Sequence, residues 1–180
     1  FMDWFYDLPL YVDAGHFRLV HACWDDEMIR RLHDVTDNGR ISRAFLQETA
    51  VSDSFSRQAA GRLLNGINIR LPEGLWLQGS DGCRRAFFRS KFWVREPRVY
   101  GDIVCQPDVL PEDIAGRPLQ DQDRSELTYY APEQPPLFIG HYWRTGIPGP
   151  VAVNIACLDY SAVRGNKLAA YRFNSEKTID

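Results

Sequence analysis

The runs of this sequence that can form strands fall at its two ends, and that arrangement limits the folds open to it. Near the start, Leu8-Pro-Leu-Tyr-Val-Asp13 stops at the turn signal Ala14-Gly15, and Phe17-Arg-Leu-Val-His-Ala-Cys-Trp24 follows at once. Two β-prone runs joined through a short glycine-containing connection read as a hairpin. Near the end, 137–141, 151–158 and 168–173 are three further strand-like runs, the last two joined through Arg164-Gly165-Asn166. Between the two groups the pattern changes. Asp25 offers a helix cap, with Met28, Ile29 and Leu32 at helical spacing behind it. Ile41, Ala44, Phe45 and Glu48 mark a second helical patch, and a third runs from a cap at Ser52 or Asp53 to Leu63-Leu64, stopping at Asn65-Gly66. Ile67 to Leu71 reads as a strand, Ser80-Asp81-Gly82 as a turn, and Cys83 to Arg95 as a long extended stretch. Residues 96–136 are rich in proline and read as loop with short elements, Gln120-Asp121-Gln122-Asp123 being a solvated tip. Residues 174–180 are polar and read as a frayed tail. The fold class is therefore α+β, with strands dominating the second half.

Composition excludes several function classes. Aromatic residues make up 13% of the chain, which argues for a packed core over disorder. A net charge of −3 gives no footprint for a nucleic-acid polymer or an acidic membrane surface. No apolar run approaches the roughly 18 residues of a membrane span. The four cysteines (Cys23, Cys83, Cys105 and Cys157) form no close pair and follow no signal peptide, so they read as reduced thiols of a cytoplasmic protein. The opening Phe1-Met2-Asp3-Trp4-Phe5 places large apolar residues first, with no cap or turn before them. That reads as a start inside a helix, and hence as part of a longer domain.

Two histidines close apolar strands: His21 ends Phe17–Val20, and His141 ends Leu137–Gly140. Strand ends of mixed sheets are where sites form, and a neutral imidazole there is a good ligand for Zn, Mn or Fe. Gly140 is expected to let the backbone turn tightly beside His141. With 119 residues between the two histidines, spacing alone does not distinguish a metal pair from two hydrogen-bonded histidines.

These segments carry a resemblance. The run Leu8-Pro-Leu-Tyr-Val-Asp13 followed by Leu19-Val-His-Ala22 resembles the later metal-ligand segment of calcineurin-like metallophosphoesterases. The branch is the one holding serine/threonine protein phosphatases and symmetrical diadenosine tetraphosphatases. Phe138-Ile-Gly-His-Tyr-Trp143 resembles that family's final Gly-His motif, and Asn154–Ser161 through Lys167–Tyr171 its closing strand pair. Leu71-Pro-Glu-Gly74 onward to Phe92-Trp93 resembles an insertion of a bacterial branch.

The resemblance implies the C-terminal half of a metallophosphoesterase β-sandwich flanked by helices. Residues 1–24 and 137–173 would form the core sheet, with strands near 17–21, 137–140, 151–158 and 168–173 in one sheet. Residues 25–136 would be an inserted helical and extended cap, and the N-terminal half of the domain would be absent. It implies two divalent ions (Mn, Fe or Zn) in the intact protein, with His21 and His141 on one of them. The reaction implied is metal-dependent hydrolysis of phosphoester or phosphoanhydride bonds, on a small phosphorylated substrate or a phosphoprotein. The motifs Asp-x-His, Gly-Asp-x-x-Asp-Arg-Gly and Gly-Asn-His-Glu do not occur, so the main carboxylate, Asn and general-acid groups are expected upstream of Phe1. The 180 residues by themselves are expected to bind metal weakly and to be inactive, since a typical site needs three or four protein ligands.

Alternation along Cys83–Arg95 puts Arg85, Phe87, Arg89, Lys91, Trp93 and Arg95 on one face, against Ala86, Phe88, Phe92 and Val94. A basic face interleaved with rings suits phosphate contact, so Arg85, Arg89, Lys91 and Arg95 are candidate substrate-binding residues; the same pattern also describes a plain solvated face. Asp159 and Tyr160 are candidate supports of the site. Two other readings stand beside the hydrolase: a non-catalytic interaction module that keeps the fold, and a Cys23–His21 hydrolase dyad.

Overall fold

The computed structural model describes residues 2–37, 39–78, 82–105 and 108–179. The element order is α1 (Met2–Tyr6), β1 (Tyr11–Asp13), β2 (Arg18–Val20), α2 (Asp26–Val35), α3 (Arg43–Thr49), α4 (Phe55–Asn65), β3 (Ile67–Arg70), β4 (Leu77–Gln78), β5 (Arg84–Arg85), β6 (Phe87–Ser90), α5 (Tyr100–Ile103), α6 (Glu112–Ala115), α7 (Asp121–Ser125), β7 (Leu137–Ile139), β8 (Pro150–Ala152) and β9 (Ile155–Cys157). Helices occur together with a sheet of mixed parallel and antiparallel strands, which makes the class α+β.

The two ends of the chain build one five-stranded sheet in the order β1-β2-β7-β9-β8. β1 and β2 form the antiparallel hairpin, with Tyr11 opposite Val20. β2 then pairs parallel with β7, Leu19 lying opposite Phe138, and β7 pairs parallel with β9. Parallel partners need a crossover, and everything from α2 to α7 serves as one. All three residues of β7 and of β9 are buried, as befits central strands covered on both faces. Leu137, Ile139, Ile155 and Cys157 face the main core with Trp24, Leu63, Phe92 and Tyr142. Phe138 and Ala156 face a second, smaller cluster with Phe17, Tyr171, Phe173 and Ile179.

Local chemistry explains the helices that cover the main core. The Asp25 carboxylate accepts from the Met28 N–H at 3.1 Å and starts α2, which buries Ile29 and Leu32. Ser54 caps α4 by accepting from the Arg57 N–H at 3.2 Å, one residue beyond the nearer of the two expected caps. α4 ends at Gly66, which has φ 73°. Only glycine suits this position, because a Cβ there would lie 2.8 Å from the Tyr142 hydroxyl oxygen. The Ala22 N–H donates to the Leu63 carbonyl at 2.8 Å, which pins the end of α4 beside the end of β2.

Five expectations need correction. The run 151–158 is two antiparallel strands, because the chain reverses at Val153-Asn154, where Asn154 is buried. The run 168–173 alternates half-buried and exposed residues as a strand does, but it forms no ladder. It is held by ring packing instead, Tyr171 and Phe173 standing 5.2 and 5.9 Å from Phe138 between centroids. The tail is anchored: Ile179 is buried and its N–H donates to the Val153 carbonyl at 2.9 Å. The stretch from Cys83 is broken, β6 ending at Ser90 where the Lys91 N–H turns to the Ile103 carbonyl at 2.7 Å. The expected tip at 120–123 runs into α7, where Asp123 accepts a hydrogen bond from the Tyr100 hydroxyl. The expected turn at Ser80-Asp81 lies outside the described residues. Among the described residues no helix is long and apolar enough to cross a membrane.

Asn154 offers a direct test of this architecture. Its side-chain amide donates to the Ala131 and Gln134 carbonyls at 2.9 and 3.0 Å, fastening the β8–β9 reversal to the segment that leads into β7. Asn154→Ala leaves both carbonyls without that donor. It is expected to cost about 2–4 kcal/mol in urea unfolding, with the slope unchanged.

Candidate functional site

Parallel pairing puts the C-terminal ends of β2 and β7 side by side, and each is followed directly by a histidine. The Gly140 N–H donates to the His21 carbonyl at 2.9 Å, which continues the ladder past both strands. The His21 and His141 ring centroids are 5.5 Å apart, with the planes inclined at 61°. Metal–nitrogen bonds of about 2.0–2.1 Å set two ligating nitrogens on a tetrahedral ion a little over 3 Å apart, and the ring centres farther. A centroid separation of 5.5 Å is compatible with two imidazoles on one ion. Both rings line a groove of about 520 Å³ over the sheet, together with Leu19, Phe138, Leu158 and Asp159.

The tight turn at this point is made by the histidine itself. Gly140 is not in the left-handed region, whereas His141 has φ 63° and Trp143 has φ 40°. Non-glycine residues held there are uncommon and mildly strained, and such strain gathers at functional sites. Gly140 also leaves room beside His21, a Cβ there lying 3.6 Å from the His21 carbonyl oxygen, which is ordinary contact.

Three influences hold the His141 imidazole neutral. Burial comes first, then the Arg89 charge, then His21, and together they push its pKa down to about 4. Asp159 and a hydrogen bond with the Asn65 backbone act in the opposite sense. A backbone hydrogen bond to one ring nitrogen is a usual way of orienting a metal-binding histidine, whose other nitrogen then serves as the ligand. Asn65 is there because the Ala22–Leu63 hydrogen bond brings the end of α4 to the end of β2.

Of the four basic candidates, Arg89 is the one whose charge reaches the histidines. Its guanidinium lies over the Trp143 ring at 5.1 Å from the centroid, and its Nη1 is buried without a hydrogen-bond partner among the described residues. Arg85 stands 3.8 Å from Asp108, the Lys91 ammonium reaches the Asp102 carbonyl at 3.4 Å, and Arg95 is exposed beside Glu96. No described contact ties these three to His21 or His141. Asp159 lies in the groove, its Oδ1 accepting from the Ser161 N–H at 2.9 Å. Tyr160 turns away, and its hydroxyl accepts from the Gly149 N–H at 3.0 Å.

Some site residues escaped sequence reasoning. Trp143 and Arg144 stand two and three residues after His141, Arg144 Nε is buried without a hydrogen-bond partner among the described residues, and the Arg164 guanidinium also lies over Trp143, at 4.4 Å. A short basic and aromatic run after Gly-His was the available signal. Cys23 is poorly placed for a nucleophile. It is fully buried, whereas His21 is exposed. Its thiol is fully buried, faces the Trp24 carbonyl at 3.7 Å, and is pushed far up in pKa by that burial. Among the described residues no group of three or more His, Cys, Asp or Glu side chains is placed to hold a metal ion, so His21 and His141 stand as a pair.

No protein-family model matches the chain, and comparisons with curated proteins and with solved structures return no match.

Two outcomes follow from this geometry. The unfolded value of His141 lies near 6.5 and the folded value near 4, so between those limits the unfolded chain binds more protons. Stability is expected to fall as pH drops from about 6.5 to 4, and NMR titration should find the His141 imidazole neutral at pH 5.5. Arg89→Met should raise that pKa. Separately, the Tyr142 hydroxyl is buried without a hydrogen-bond partner among the described residues, so Tyr142→Phe should be neutral or stabilising by about 1 kcal/mol in thermal unfolding.

Proposed function

We propose that this chain carries part of the site of a metal-dependent hydrolase acting on phosphoester or phosphoanhydride bonds, in a cytoplasmic setting. The observation that carries the reading is the junction of three groups. His21 and His141 meet at the ends of paired parallel strands, and beside them is a guanidinium, that of Arg89, with a buried, unpartnered N–H.

The donor set suits one divalent ion on one side. A neutral His141 would present one ring nitrogen, and the more exposed His21 would supply the second. Zn, Mn and Fe all accept imidazole. When bound, such an ion supplies Lewis acidity and lowers the pKa of bound water. Two imidazoles are half of a usual ligand set, so the reading requires further ligands, a carboxylate foremost, from outside the described residues. The reading keeps two ions for the complete site.

Arg89 has the chemistry to bind phosphoryl oxygens through charge-assisted N–H···O bonds, which would satisfy its orphaned nitrogen. Trp143, in its constrained backbone conformation, keeps the guanidinium from swinging away. Hydrolysis puts a water oxygen on phosphorus, breaks the bridging P–O bond and releases the alcohol or phosphate. The work assigned to this chain is to hold two nitrogens and one guanidinium in place while that happens. Cys23, Cys105 and Cys157 are buried thiols outside any disulfide, in keeping with a reducing compartment.

Calorimetric titration of the 180-residue chain with Mn²⁺ and with Zn²⁺ tests the reading. One weak site is expected, absent in His21→Ala and in His141→Ala, and unaffected by Cys23→Ser. Metal binding that survives both histidine substitutions would contradict it, as would tight binding of two ions by this chain.

A further inference from the structure

The small sheet of β3 and β6 has one closed side and one open side. On the far side of β6, the Cys105 N–H donates to the Arg89 carbonyl at 2.8 Å, the Lys91 N–H to the Ile103 carbonyl at 2.7 Å, and Ser90 bridges to Val104. The Arg89 N–H turns the same way and donates to the Asp108 carboxylate at 2.9 Å. β3 has β6 as its single strand partner among the described residues.

The register shows which groups β3 leaves over. Asn68 lies opposite Arg89, and Arg70 opposite Phe87. Opposed residues of an antiparallel pair alternate between exchanging hydrogen bonds and both facing away. Arg89 faces away, so Asn68 does too, and Arg70 repeats it two residues on. The Leu71 N–H, of the other parity, donates to the Ala86 carbonyl at 2.9 Å, as this alternation requires. The N–H and C=O groups of Asn68 and Arg70 therefore form a row on the open edge, and none has a hydrogen-bond partner among the described residues. Such a row is a template for another strand, and proteins usually guard it with proline, a bulge or a cover. β3 contains no proline, and its ladder to β6 runs without a register shift. Beside it opens a second groove of about 710 Å³, lined by Ile67 and Asn68 together with Arg57, Arg62 and Asn65 of α4.

We infer that β3 is a dimerisation edge: two copies of this chain pair antiparallel through Asn68 and Arg70, about a twofold axis at Ile69, into one four-stranded sheet. The occupant is a second copy because the edge is its own complement. Centred on Ile69, each copy's Asn68 exchanges both backbone hydrogen bonds with the partner's Arg70, which uses every outward group and opposes no like charges. Centring on Asn68 would oppose the partner's Arg70 to Gly66, which has φ 73° and already donates its N–H to the Arg62 carbonyl. Centring on Arg70 would set two guanidiniums against each other.

The pairing also reaches the site. Directly opposed residues share a face, so Arg89, Asn68 and the partner's Arg70 form one row across the sheet, at about 5 Å per strand. Arg89 is the cation that lies over Trp143. Each copy thus lends a second guanidinium to the face that carries its partner's Arg89. The inference does not depend on the phosphohydrolase reading.

Sedimentation velocity over a concentration series tests this on the 180-residue chain, with amide hydrogen exchange as the local readout. A reversible monomer–dimer equilibrium is expected, exchange at the Asn68 and Arg70 amides slowing as the dimer forms. Asn68→Pro removes an outward N–H and spares the ladder to β6, so it should abolish the dimer while the monomer keeps its melting temperature. Asn68→Asp sets a carboxylate opposite the partner's Arg70 and should tighten the dimer about threefold or more, whereas Asn68→Arg should weaken it as much. These two substitutions test the register in a chain whose backbone is unaltered. A chain that is monomeric at every concentration, a dimer that survives Asn68→Pro, or one that Asn68→Asp and Asn68→Arg affect alike would overturn the inference. So would a chain that stays monomeric while an extended peptide slows exchange at Asn68 and Arg70, which would give the edge to a peptide partner.

Discussion

The parallel ladder between β2 and β7 is the interaction on which the rest of the structure depends. It joins segments separated by more than a hundred residues, sets Leu19 against Phe138, and runs on through the Gly140–His21 hydrogen bond. Because the strands are parallel, their C-terminal ends coincide, and two histidines that each follow such an end must be neighbours. An antiparallel pairing of the same runs would send them to opposite edges of the sheet. The helices between the strands serve this pairing: α2 and α4 cover the main-core face of the sheet, and the end of α4 delivers the Asn65 backbone to His141.

Electrostatics at the junction follow from the same constraint. His141 is partly buried with His21 beside it and Arg89 behind, and each of these disfavours its protonated form. A histidine kept neutral well below physiological pH has its lone pair ready for a ligand. The unpaired Arg89 nitrogen is the complementary feature, a cation short of hydrogen-bond acceptors in a place where an oxyanion would supply them. The strain at His141 and Trp143 is compatible with this account, since it turns both rings towards the groove and the guanidinium within three residues of chain.

Much of this was legible in the sequence, and what was not has physical causes. The hairpin at the start, the Asp25 cap, the stop at Asn65-Gly66 and the two strand-end histidines are local signals, and local signals are what a sequence displays openly. The reversal within 151–158 was hidden because Val153-Asn154 carries no glycine and its anchor, the buried Asn154 amide, is satisfied by carbonyls more than twenty positions away in the case of Ala131. The run 168–173 shows the alternation of a strand because one side of it rests on Phe138. Alternation reports a buried face, though, and not a hydrogen-bonded partner. The basic face of 83–95 offers four candidate cations, of which Arg85 stands by Asp108, Lys91 by the Asp102 carbonyl and Arg95 by its neighbour Glu96, while the Arg89 charge acts on His141.

The account's central claim is that the β2–β7 pairing makes His21 and His141 a single ligand pair. Paramagnetic broadening by Co²⁺ of the four histidine imidazole resonances measures this most directly, since His16 and His33 stand as internal controls. His33 shares a hydrogen bond with the Tyr11 hydroxyl and His16 stacks on Phe173, so each has a different set of neighbours from the pair. The account predicts that substoichiometric Co²⁺ broadens His21 and His141 together and leaves His16 and His33 sharp. Broadening of either one without the other, or of His16 or His33 first, would contradict it.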